Sequence, residues 1–271
     1  MFNGHFIKER VKEASILIDA VISAGDAVRA LFNKDYVKVQ KSNNSPLTAA
    51  DLQANQILKK QLLNHFPEDG WLSEETYDDF LRLGKKRIWI VDPLDGTKEY
   101  INKIAEYAIS VALVEDGAPI LASVFNPTTD ELFYAVKGQG AWMNDKQICC
   151  TQVCDKKIKI LASRSEVING DWQCFIDHFN VSPMGSIAYK LALIAAGKAD
   201  ATFSFEPRSE WDIAAGVLLV QEAGGIVHDL SGKPFMFNQK NIRVNGIIAS
   251  SKIVYSDVMK KIEPELAMVS L

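Results

Sequence analysis

The chain has 271 residues, of which 48% are hydrophobic, and its formal net charge at pH 7 is -4. This is enough apolar material for one large domain or two modest ones, and the absence of a basic surplus argues against a nucleic-acid partner. No apolar run approaches the ~20 residues of a membrane span, and the N-terminus lacks the apolar block of a signal peptide, so we expect a cytoplasmic protein without a membrane partner.

In the N-terminal half, two helices are predicted before a strand-rich block. Apolar residues at helical spacing, from Ile7 through Val11 to Phe32, predict a long first helix. A second helix is expected from about Thr48 to His65, before Pro67. The next segments are β-branched and aromatic and are separated by turn signals, which predicts consecutive antiparallel strands. They are RIWIV, YAISVALV, PILASVF, ELFYAV and GAWMN.

The C-terminal half alternates between strands and helices. Strands are predicted at KIKILAS, DATFSF, IVHDL and GIIAS, and helices at SIAYKLALIAAG, DIAAGVLLVQEAGG and YSDVMKKIEPEL. We therefore predict an N-terminal α+β half over residues 1–150 and a layered α/β half over residues 151–271. Because no linker separates the halves, we expect them to pack as one unit.

The segment WIVDPLDGT places two carboxylates at the end of a predicted strand. Asp92 ends the apolar run, Pro93 imposes an extended or turn conformation on its neighbour, and Gly96 permits a positive φ or a close backbone approach. The following TKEY can begin a helix, whose free N–H groups attract anions. A divalent cation would reconcile carboxylates with a nearby phosphate by joining their oxygens. The alternative is an acidic turn in which Asp95 caps the helix.

Three further acidic positions stand at element boundaries, and each has an ordinary explanation. Glu74, in LSEE, can be a surface charge. Asp51 follows Thr48 at the spacing of a capping box. Asp212 stands in the first turn of a predicted helix, where acidic residues are common. These positions can converge on one cleft with the DPLD pair, although spacing alone does not establish it.

Other metal and phosphate motifs do not fit the sequence. Two residues separate the aspartates of DPLDGT, whereas phosphatases with an aspartyl nucleophile have one in D-x-D-G-T. We find no EF-hand, P-loop or H-E-x-x-H. Neither C-x-x-C pairs nor histidines at zinc-finger spacing accompany the cysteines, which favours reduced thiols over disulfides or a zinc site. The cysteines are Cys149, Cys150, Cys154 and Cys174.

Five blocks, in order, resemble the inositol monophosphatase superfamily, whose members are Mg²⁺-dependent, lithium-sensitive phosphomonoesterases. The blocks are SPLTAAD (45–51), LSEE (72–75), WIVDPLDGT (89–97), GSIAYKLALIAAGKAD (185–200) and SEWDIAAG (209–216). The resemblance covers nearly the whole chain and implies a five-layered αβαβα sandwich, which combines α+β and α/β features. It also implies a homodimer and a small phosphorylated metabolite as substrate.

The resemblance implies a metal site made of oxygen ligands. Two or three Mg²⁺ ions would be held by the carboxylates of Glu74, Asp92, Asp95 and Asp212 and by the backbone carbonyl of Leu94. Oxygen-only ligands suit Mg²⁺ better than zinc. The implied reaction is in-line attack of a metal-activated water on the phosphate, without a covalent enzyme intermediate.

Other positions carry implied catalytic roles. Asp51 would pair with Thr97 to orient or deprotonate the attacking water, and Glu74 would assist catalysis as well as bind metal. Phosphate would rest on the backbone N–H groups of Gly96 and Thr97, and Asp212 would also contact substrate.

The implied substrate loop consists of Gly185, Ser186 and Ile187. Ser186 also fits an ordinary helix N-cap. Glu206 is the candidate counterpart of an inositol-contacting glutamate. Arg208 is either a ligand for a second phosphate, through its guanidinium fork, or a solvated loop residue.

The indications of substrate are mixed. The KEY that follows DPLDGT, the SEWD motif and the length of ATFSFEPRSEWD favour the CysQ-type 3′(2′),5′-bisphosphate nucleotidases of this superfamily, whereas GSIAYKLALIAAGKAD has the length typical of inositol monophosphatases. We favour the conversion of adenosine 3′,5′-bisphosphate to AMP and phosphate. The alternatives are an inositol-1-monophosphatase or sugar-phosphate phosphatase and, from another class, a non-catalytic sensor of a phosphate ligand on the same fold.

Overall fold

The computed structural model describes residues 10–32, 39–40, 46–153 and 157–269. Ile7, Ser45 and Cys154 therefore lie outside the described residues. The helices are α1 Val11–Phe32, α2 Ala49–His65, α3 Thr97–Ile101, α4 Arg164–Asn169, α5 Ile187–Ala195, α6 Glu210–Glu222 and α7 Tyr255–Val269, with a 3-10 turn at Leu81–Gly84. The strands are β1 Val39–Gln40, β2 Pro46–Leu47, β3 Gly70–Ser73, β4 Arg87–Asp95, β5 Ala108–Glu115, β6 Ala118–Asn126, β7 Glu131–Val136, β8 Gly140–Met143, β9 Lys146–Ile148, β10 Lys159–Ser163, β11 Asn180–Met184, β12 Ala201–Ser204, β13 Arg208–Ser209, β14 Gly225–His228, β15 Arg243–Val244 and β16 Ile247–Ser251.

The N-terminal sheet confirms the predicted antiparallel block. Within the described residues it has seven strands in sequence order, and each successive pair from β4 to β9 is antiparallel. β3 pairs in parallel with β4 at one edge. β4 runs past the predicted end at Val91 and includes Pro93, where its pairing with β5 is irregular between Asp92 and Asp95. The irregularity lets a strand contain a residue with no backbone N–H.

The C-terminal sheet is mixed, with the order β11-β10-β12-β16-β14 among the residues described. β10 is parallel to both neighbours, and β16 is antiparallel to β12 and β14. The predicted strands and helices of this half are confirmed, but α4 and β11 were not predicted. β11 has the sequence NVSPM and lies at the edge of the sheet, where a proline is tolerated and strand-forming residues are less needed.

Alternating burial along β4 shows how the layers stack. Ile88 and Ile90 pack into the apolar cluster that contains α5, α6 and strands of the second sheet. Trp89 and Val91 pack on the opposite face with α1 and α2. Because successive strand residues point to opposite faces, β4 is buried on both sides.

A third apolar cluster joins the outer face of the second sheet to α7, through Phe203, Val258 and neighbouring residues. The order is therefore helices α1 and α2, the first sheet, helices α5 and α6, the second sheet, and an outer layer with α7. This confirms the predicted five-layered sandwich. No helix in the described part of the chain is long and apolar enough to cross a membrane.

The close contact between α5 and α6 depends on a glycine. A Cβ atom at Gly216 would lie 2.4 Å from Cδ1 of Leu191, far inside normal contact distance. The missing side chain lets α6 lie against α5 while it also contacts β4, β5 and β6. The N-terminal end of α6, which carries Asp212, is thereby positioned near the end of β4.

Candidate active site

The turn after β4 is fixed by its own backbone. Asp92 is buried, and its Oδ1 accepts a hydrogen bond from the N–H of Leu94 at 2.9 Å. Gly96 has φ = +95°, and a Cβ there would lie 2.9 Å from the carbonyl oxygen of Glu106. Both the positive φ and the close approach require glycine. α3 then begins at Thr97, so the predicted sequence of strand, turn and helix is observed.

Asp95 does not cap α3, which was the ordinary explanation for its presence. The N-cap of α3 is Gly96, and no side chain caps this helix. Instead, Asp95 Oδ2 accepts hydrogen bonds from Ser186 Oγ at 2.6 Å and from the N–H of Ala188 at 2.7 Å. Asp95 therefore accepts from the first turn of α5, whose N-cap is Ser186 and which lies 91 to 93 residues further along the chain. This connects the predicted substrate loop to the DPLDGT turn.

Asp51 makes both of the contacts considered for it in the sequence analysis. It closes a capping box with Thr48, whose N–H and hydroxyl donate to Asp51 Oδ2 at 2.8 and 2.6 Å. Its other oxygen, Oδ1, lies 3.0 Å from Thr97 Oγ1. Burial raises the pKa of Asp51, and the hydrogen bonds from Thr48 and Thr97 oppose this. The structure thus forms the predicted pair, with Asp51 held rigidly behind Thr97.

Thr97 also lies close to the carbonyl oxygen of Leu94, at 3.1 Å. A hydroxyl has one proton to donate, and a carboxylate is a stronger acceptor than an amide carbonyl. If the proton points to Asp51, the lone pairs of the Leu94 carbonyl are left for a cation, as the resemblance implies.

The predicted metal ligands border one cavity of about 310 Å³. Asp212 lies in the first turn of α6, where its Oδ2 accepts from the N–H of Ser209 at 2.8 Å in a second capping box. Glu74 follows β3, and its N–H donates to the carbonyl of Val91 at 3.2 Å. The cavity is lined by Glu74, Asp92, Leu94, Asp95, Gly96, Thr97, Gly185, Ser186, Ile187, Arg208 and Asp212, among others. Fold and site therefore bring together residues that lie far apart in sequence.

The electrostatics of this cavity suit a bound cation. Burial raises the pKa of Asp92 well above its usual range, and the charges of Glu74, Asp95 and Asp212 raise it further. Burial, followed by the charge of Asp95, raises the pKa of Asp212 to about 7. Burial also raises the pKa of Asp95, although Ser186 and the N–H of Ala188 stabilise its charged form. A divalent cation would offset this mutual repulsion.

The residues fit Mg²⁺ by chemistry, since the convergent donors are all oxygens and mostly carboxylates. In the described ranges, no group of three or more His, Cys, Asp or Glu side chains is preassembled to hold a metal ion. The structure therefore shows carboxylates that converge on one cavity, not a finished coordination sphere.

Hydrogen bonds to neighbouring segments hold both ends of the predicted substrate loop in place. Ser186 has φ = +48°, an unusual value for a residue with a side chain, and its hydroxyl both donates to Asp95 and accepts from the N–H of Tyr189. The N–H of Gly185 donates to Glu106 Oε2 at 2.9 Å. A Cβ at Gly185 would lie 2.3 Å from Cγ and Cδ of Glu99. The side chain of Glu99 therefore occupies the space that the side chain of any larger residue at position 185 would need.

This contact gives a direct prediction. Gly185→Ala should lower kcat/KM by about tenfold or more and destabilise the fold by about 1–3 kcal/mol, because the added methyl group forces the loop or Glu99 to move. Glu99→Ala in the Gly185→Ala background should restore most of the lost stability. Chemical denaturation of the two single variants and the double variant measures this coupling. If the two changes are simply additive, the proposed contact is wrong.

Several cavity residues were not predicted as site residues, among them Lys190, Arg164 and Glu99. Lys190 is buried within α5, and burial lowers its pKa to about 8. Arg164 begins α4, and its Nη2 donates to Glu106 Oε2 at 2.5 Å. Glu99, buried in α3, has its pKa raised by burial. A lysine within the otherwise apolar run of α5 was the available signal, since lysine is rarely buried without a function.

The two residues considered for substrate contact differ in position. Arg208 lines the cavity, is partly buried and donates through Nη2 to Glu166 Oε1 at 2.7 Å, so it is not a freely solvated loop residue. Glu206 is exposed and lines a neighbouring cavity instead.

The layered fold and the cavity lined by carboxylates together define a phosphoric monoester hydrolase that depends on a metal ion. The chain belongs to the inositol monophosphatase family, whose family model matches residues 9–265.

The chain is similar to curated relatives and to solved structures of this family. CysQ of Escherichia coli (strain K12), a 3′(2′),5′-bisphosphate nucleotidase, is 33% identical over 230 residues, which cover 82% of this chain and 93% of that protein. Inositol-1-monophosphatase of Rhizobium meliloti (strain 1021) is 34% identical over 230 residues, which cover 80% and 85%. The crystal structure of CysQ from Bacteroides thetaiotaomicron matches with a TM-score of 0.74 and 31% identity, over 89% of this chain and 97% of that one. Relatives with different named substrates are thus about equally similar.

Proposed function

We propose that this phosphomonoesterase is a Mg²⁺-dependent 3′(2′),5′-bisphosphate nucleotidase, which converts adenosine 3′,5′-bisphosphate to AMP and phosphate. The observation that carries the proposal is a set of cationic side chains in the same cavity as the carboxylates, which we call the cationic wall. It consists of Arg164, Lys190 and Arg208, all of which line the active cavity.

The cationic wall favours a substrate with a second negative group. Inositol 1-phosphate offers only neutral hydroxyls beyond its reacting phosphate, and these need no cations. Burying the Lys190 ammonium is costly, as its lowered pKa shows, and the carboxylates of Asp95, Glu166 and Glu99 offset this cost only in part. A second anionic group on the substrate would offset more of it. A bisphosphate would place its non-reacting phosphate against the wall, where guanidinium groups form paired hydrogen bonds.

The residues around Thr97 would handle the proton of the attacking water. Thr97 Oγ1 donates to Asp51 Oδ1, which leaves its own lone pairs to accept a proton from water. The raised pKa of Asp51 makes this carboxylate a better proton acceptor than an exposed aspartate. Glu74, Asp92, Asp95, Asp212 and the Leu94 carbonyl would hold two or three Mg²⁺ ions. When bound, Mg²⁺ would acidify water and neutralise charge on the phosphoryl oxygens.

Gly96 and Thr97 would bind the reacting phosphate through their backbone N–H groups, which stand at the start of α3 and have no partner one turn earlier in the helix. The loop at Gly185, Ser186 and Ile187 would contact the leaving group. Its fixed geometry, set by Asp95 and Glu106, would orient the scissile bond.

Matched substrates test this proposal. With saturating Mg²⁺, kcat/KM should be at least about tenfold higher for adenosine 3′,5′-bisphosphate than for adenosine 3′-monophosphate, which has the same reacting phosphate without the second one. Inositol 1-phosphate and fructose 1,6-bisphosphate should be poorer substrates than the nucleoside bisphosphate. A clear preference for either of these two would overturn the proposed substrate.

An inositol-1-monophosphatase is the second candidate, because the Rhizobium meliloti relative is as similar as the CysQ proteins, and a sugar-phosphate phosphatase is a variant of it. A non-catalytic phosphate sensor has less support, since the carboxylates and the Asp51–Thr97 pair are all in place. Failure to release phosphate from any substrate of a broad panel would favour the sensor.

From the family resemblance we further propose a cytoplasmic homodimer that lithium inhibits. Light scattering should give twice the mass of the 30.1 kDa chain, and lithium should lower turnover at fixed Mg²⁺. A monomeric mass would refute the dimer, and turnover unaffected by lithium would refute the inhibition.

A further inference from the structure

A second cavity, of about 230 Å³, has aromatic walls. We call it the aromatic cavity, and its rings are those of Trp172, Phe175, Phe203 and Phe205. The Trp172 and Phe203 ring centroids are 4.5 Å apart with 31° between their planes, and Phe205 lies 5.5 Å from Phe203. Flat apolar walls of this kind suit a planar ring.

The aromatic cavity shares a wall with the active cavity. Arg208 lines the active cavity, whereas Glu166 and Ser204 line the aromatic one. Arg208 Nη2 donates to Glu166 Oε1 at 2.7 Å and to Ser204 Oγ at 2.5 Å, so this wall is one layer of side chains. Arg208 Nε is buried without a hydrogen-bond partner in the part of the chain that the structure describes. A ligand that displaces one of these side chains can satisfy this donor.

The charged residues that line the two cavities differ, so the cavities suit different parts of a ligand. Asp171 and Glu206 are exposed and line the aromatic cavity. Their carboxylates would repel a phosphate but can accept hydrogen bonds from an amino group. Arg164 and Lys190, the other members of the cationic wall, line the active cavity together with Arg208. The aromatic cavity therefore suits a neutral ring with an exocyclic amine, and the active cavity suits the anionic groups of the same molecule.

We infer that the aromatic cavity binds the nucleobase of the substrate, an adenine-type ring, while the phosphates occupy the active cavity. This inference rests on the proposed nucleotidase function and adds to it a specificity site for the base. Glu206, which the sequence suggested as an inositol contact, is then a residue on the base side. Phe205 is half-buried and supplies a ring that can be changed without opening the core.

Substrates with and without the base provide the test. The wild type should prefer adenosine 3′,5′-bisphosphate to an abasic ribose 3,5-bisphosphate analogue. Phe205→Leu, which removes the ring but keeps an apolar side chain, should raise KM for the adenosine compound by about five- to hundredfold, the usual effect of losing a base-stacking ring. Neither kcat nor KM for the abasic analogue should change. Phe205→Trp, which fills the cavity, should act in the same direction.

Phe235→Leu is the matched control, because Phe235 is also half-buried but lines neither cavity, and it should leave both KM values unchanged. If adenosine 3′,5′-bisphosphate is turned over and both Phe205 variants keep the wild-type preference for the base, the base site is refuted and the nucleotidase stands. If this compound is not turned over, the nucleotidase is refuted, and calorimetry with AMP decides separately on the cavity. AMP binding that both Phe205 variants weaken would support a base site, and binding that they leave unchanged would refute it.

Discussion

Replacing Asp95 with asparagine is expected to lower kcat/KM for phosphate release by about a thousandfold or more. The reason is the loss of one metal carboxylate, since metal ions stabilise transition-state charge by several kcal/mol and each ~1.4 kcal/mol is tenfold in rate. The protein should remain folded, because the asparagine carbonyl can still accept the hydrogen bonds that Ser186 and Ala188 donate to Asp95. Steady-state kinetics and thermal unfolding of the same preparation measure both effects.

The stability of the metal-free Asp95→Asn variant should be equal to or higher than that of the wild type. Asp95 raises the pKa of Asp92 and of Asp212 through its charge, so a neutral side chain removes repulsion. Asp130→Asn is the control, because Asp130 is an exposed aspartate that does not line the active cavity, and it should leave turnover unchanged. Near-normal turnover in Asp95→Asn would show that the metal site is wrongly assigned.

Replacing Lys190 with methionine is expected to stabilise the fold and weaken the enzyme. Burial lowers the pKa of Lys190 from 10.5 to about 8, which corresponds to a cost of about 3 kcal/mol for keeping the folded protein protonated. Methionine has a similar length and no charge, so the free energy of unfolding at pH 7 should rise by about 1–3 kcal/mol. If Lys190 contacts the second phosphate as proposed, the loss of its charge should raise KM for adenosine 3′,5′-bisphosphate by about ten- to hundredfold.

The lowered pKa of Lys190 determines how the stability gained by Lys190→Met depends on pH. A lysine whose folded pKa is lowered destabilises the fold fully below that pKa, and the cost falls as the pH rises from about 8 towards 10.5. The stability gained by Lys190→Met should therefore be largest at pH 7 and shrink by pH 9.5, as urea unfolding can measure. Lys260→Met, at an exposed position, should change stability little at either pH. A Lys190→Met protein less stable than the wild type at pH 7 would contradict this account of the buried charge.

Local chemistry made the DPLDGT turn predictable. The strand that ends in two aspartates, the glycine with positive φ and the helix start after it all follow from residues within ten positions of each other. Convergence of Glu74, Asp51 and Asp212 on that turn could be inferred only from the family resemblance, because sequence spacing does not determine which element ends meet in a layered fold.

The features that the sequence did not reveal depend on distant contacts. The alternative considered for Asp95 was a cap on its own helix, but Asp95 accepts from the N–H of Ala188 in α5 instead. Lys190 looked like one polar residue in an apolar helix, and only the packing of α5 against the cavity explains it. The aromatic cavity is lined by rings from β12 and from the segment after α4. The sequence pattern does not indicate that these two segments lie together.

A Mg²⁺ titration followed by thermal unfolding tests the central claim most directly, namely that the carboxylates of this cavity hold the catalytic metal. For the wild type, Mg²⁺ should raise the unfolding temperature saturably, with a gain of about 2.7 kcal/mol at a hundredfold excess over Kd. Asp95→Asn and Asp212→Asn should unfold no earlier than the wild type without Mg²⁺ and should lose most of the Mg²⁺-dependent gain. An equal Mg²⁺ response in the wild type and both variants, or none in the wild type, would contradict the account.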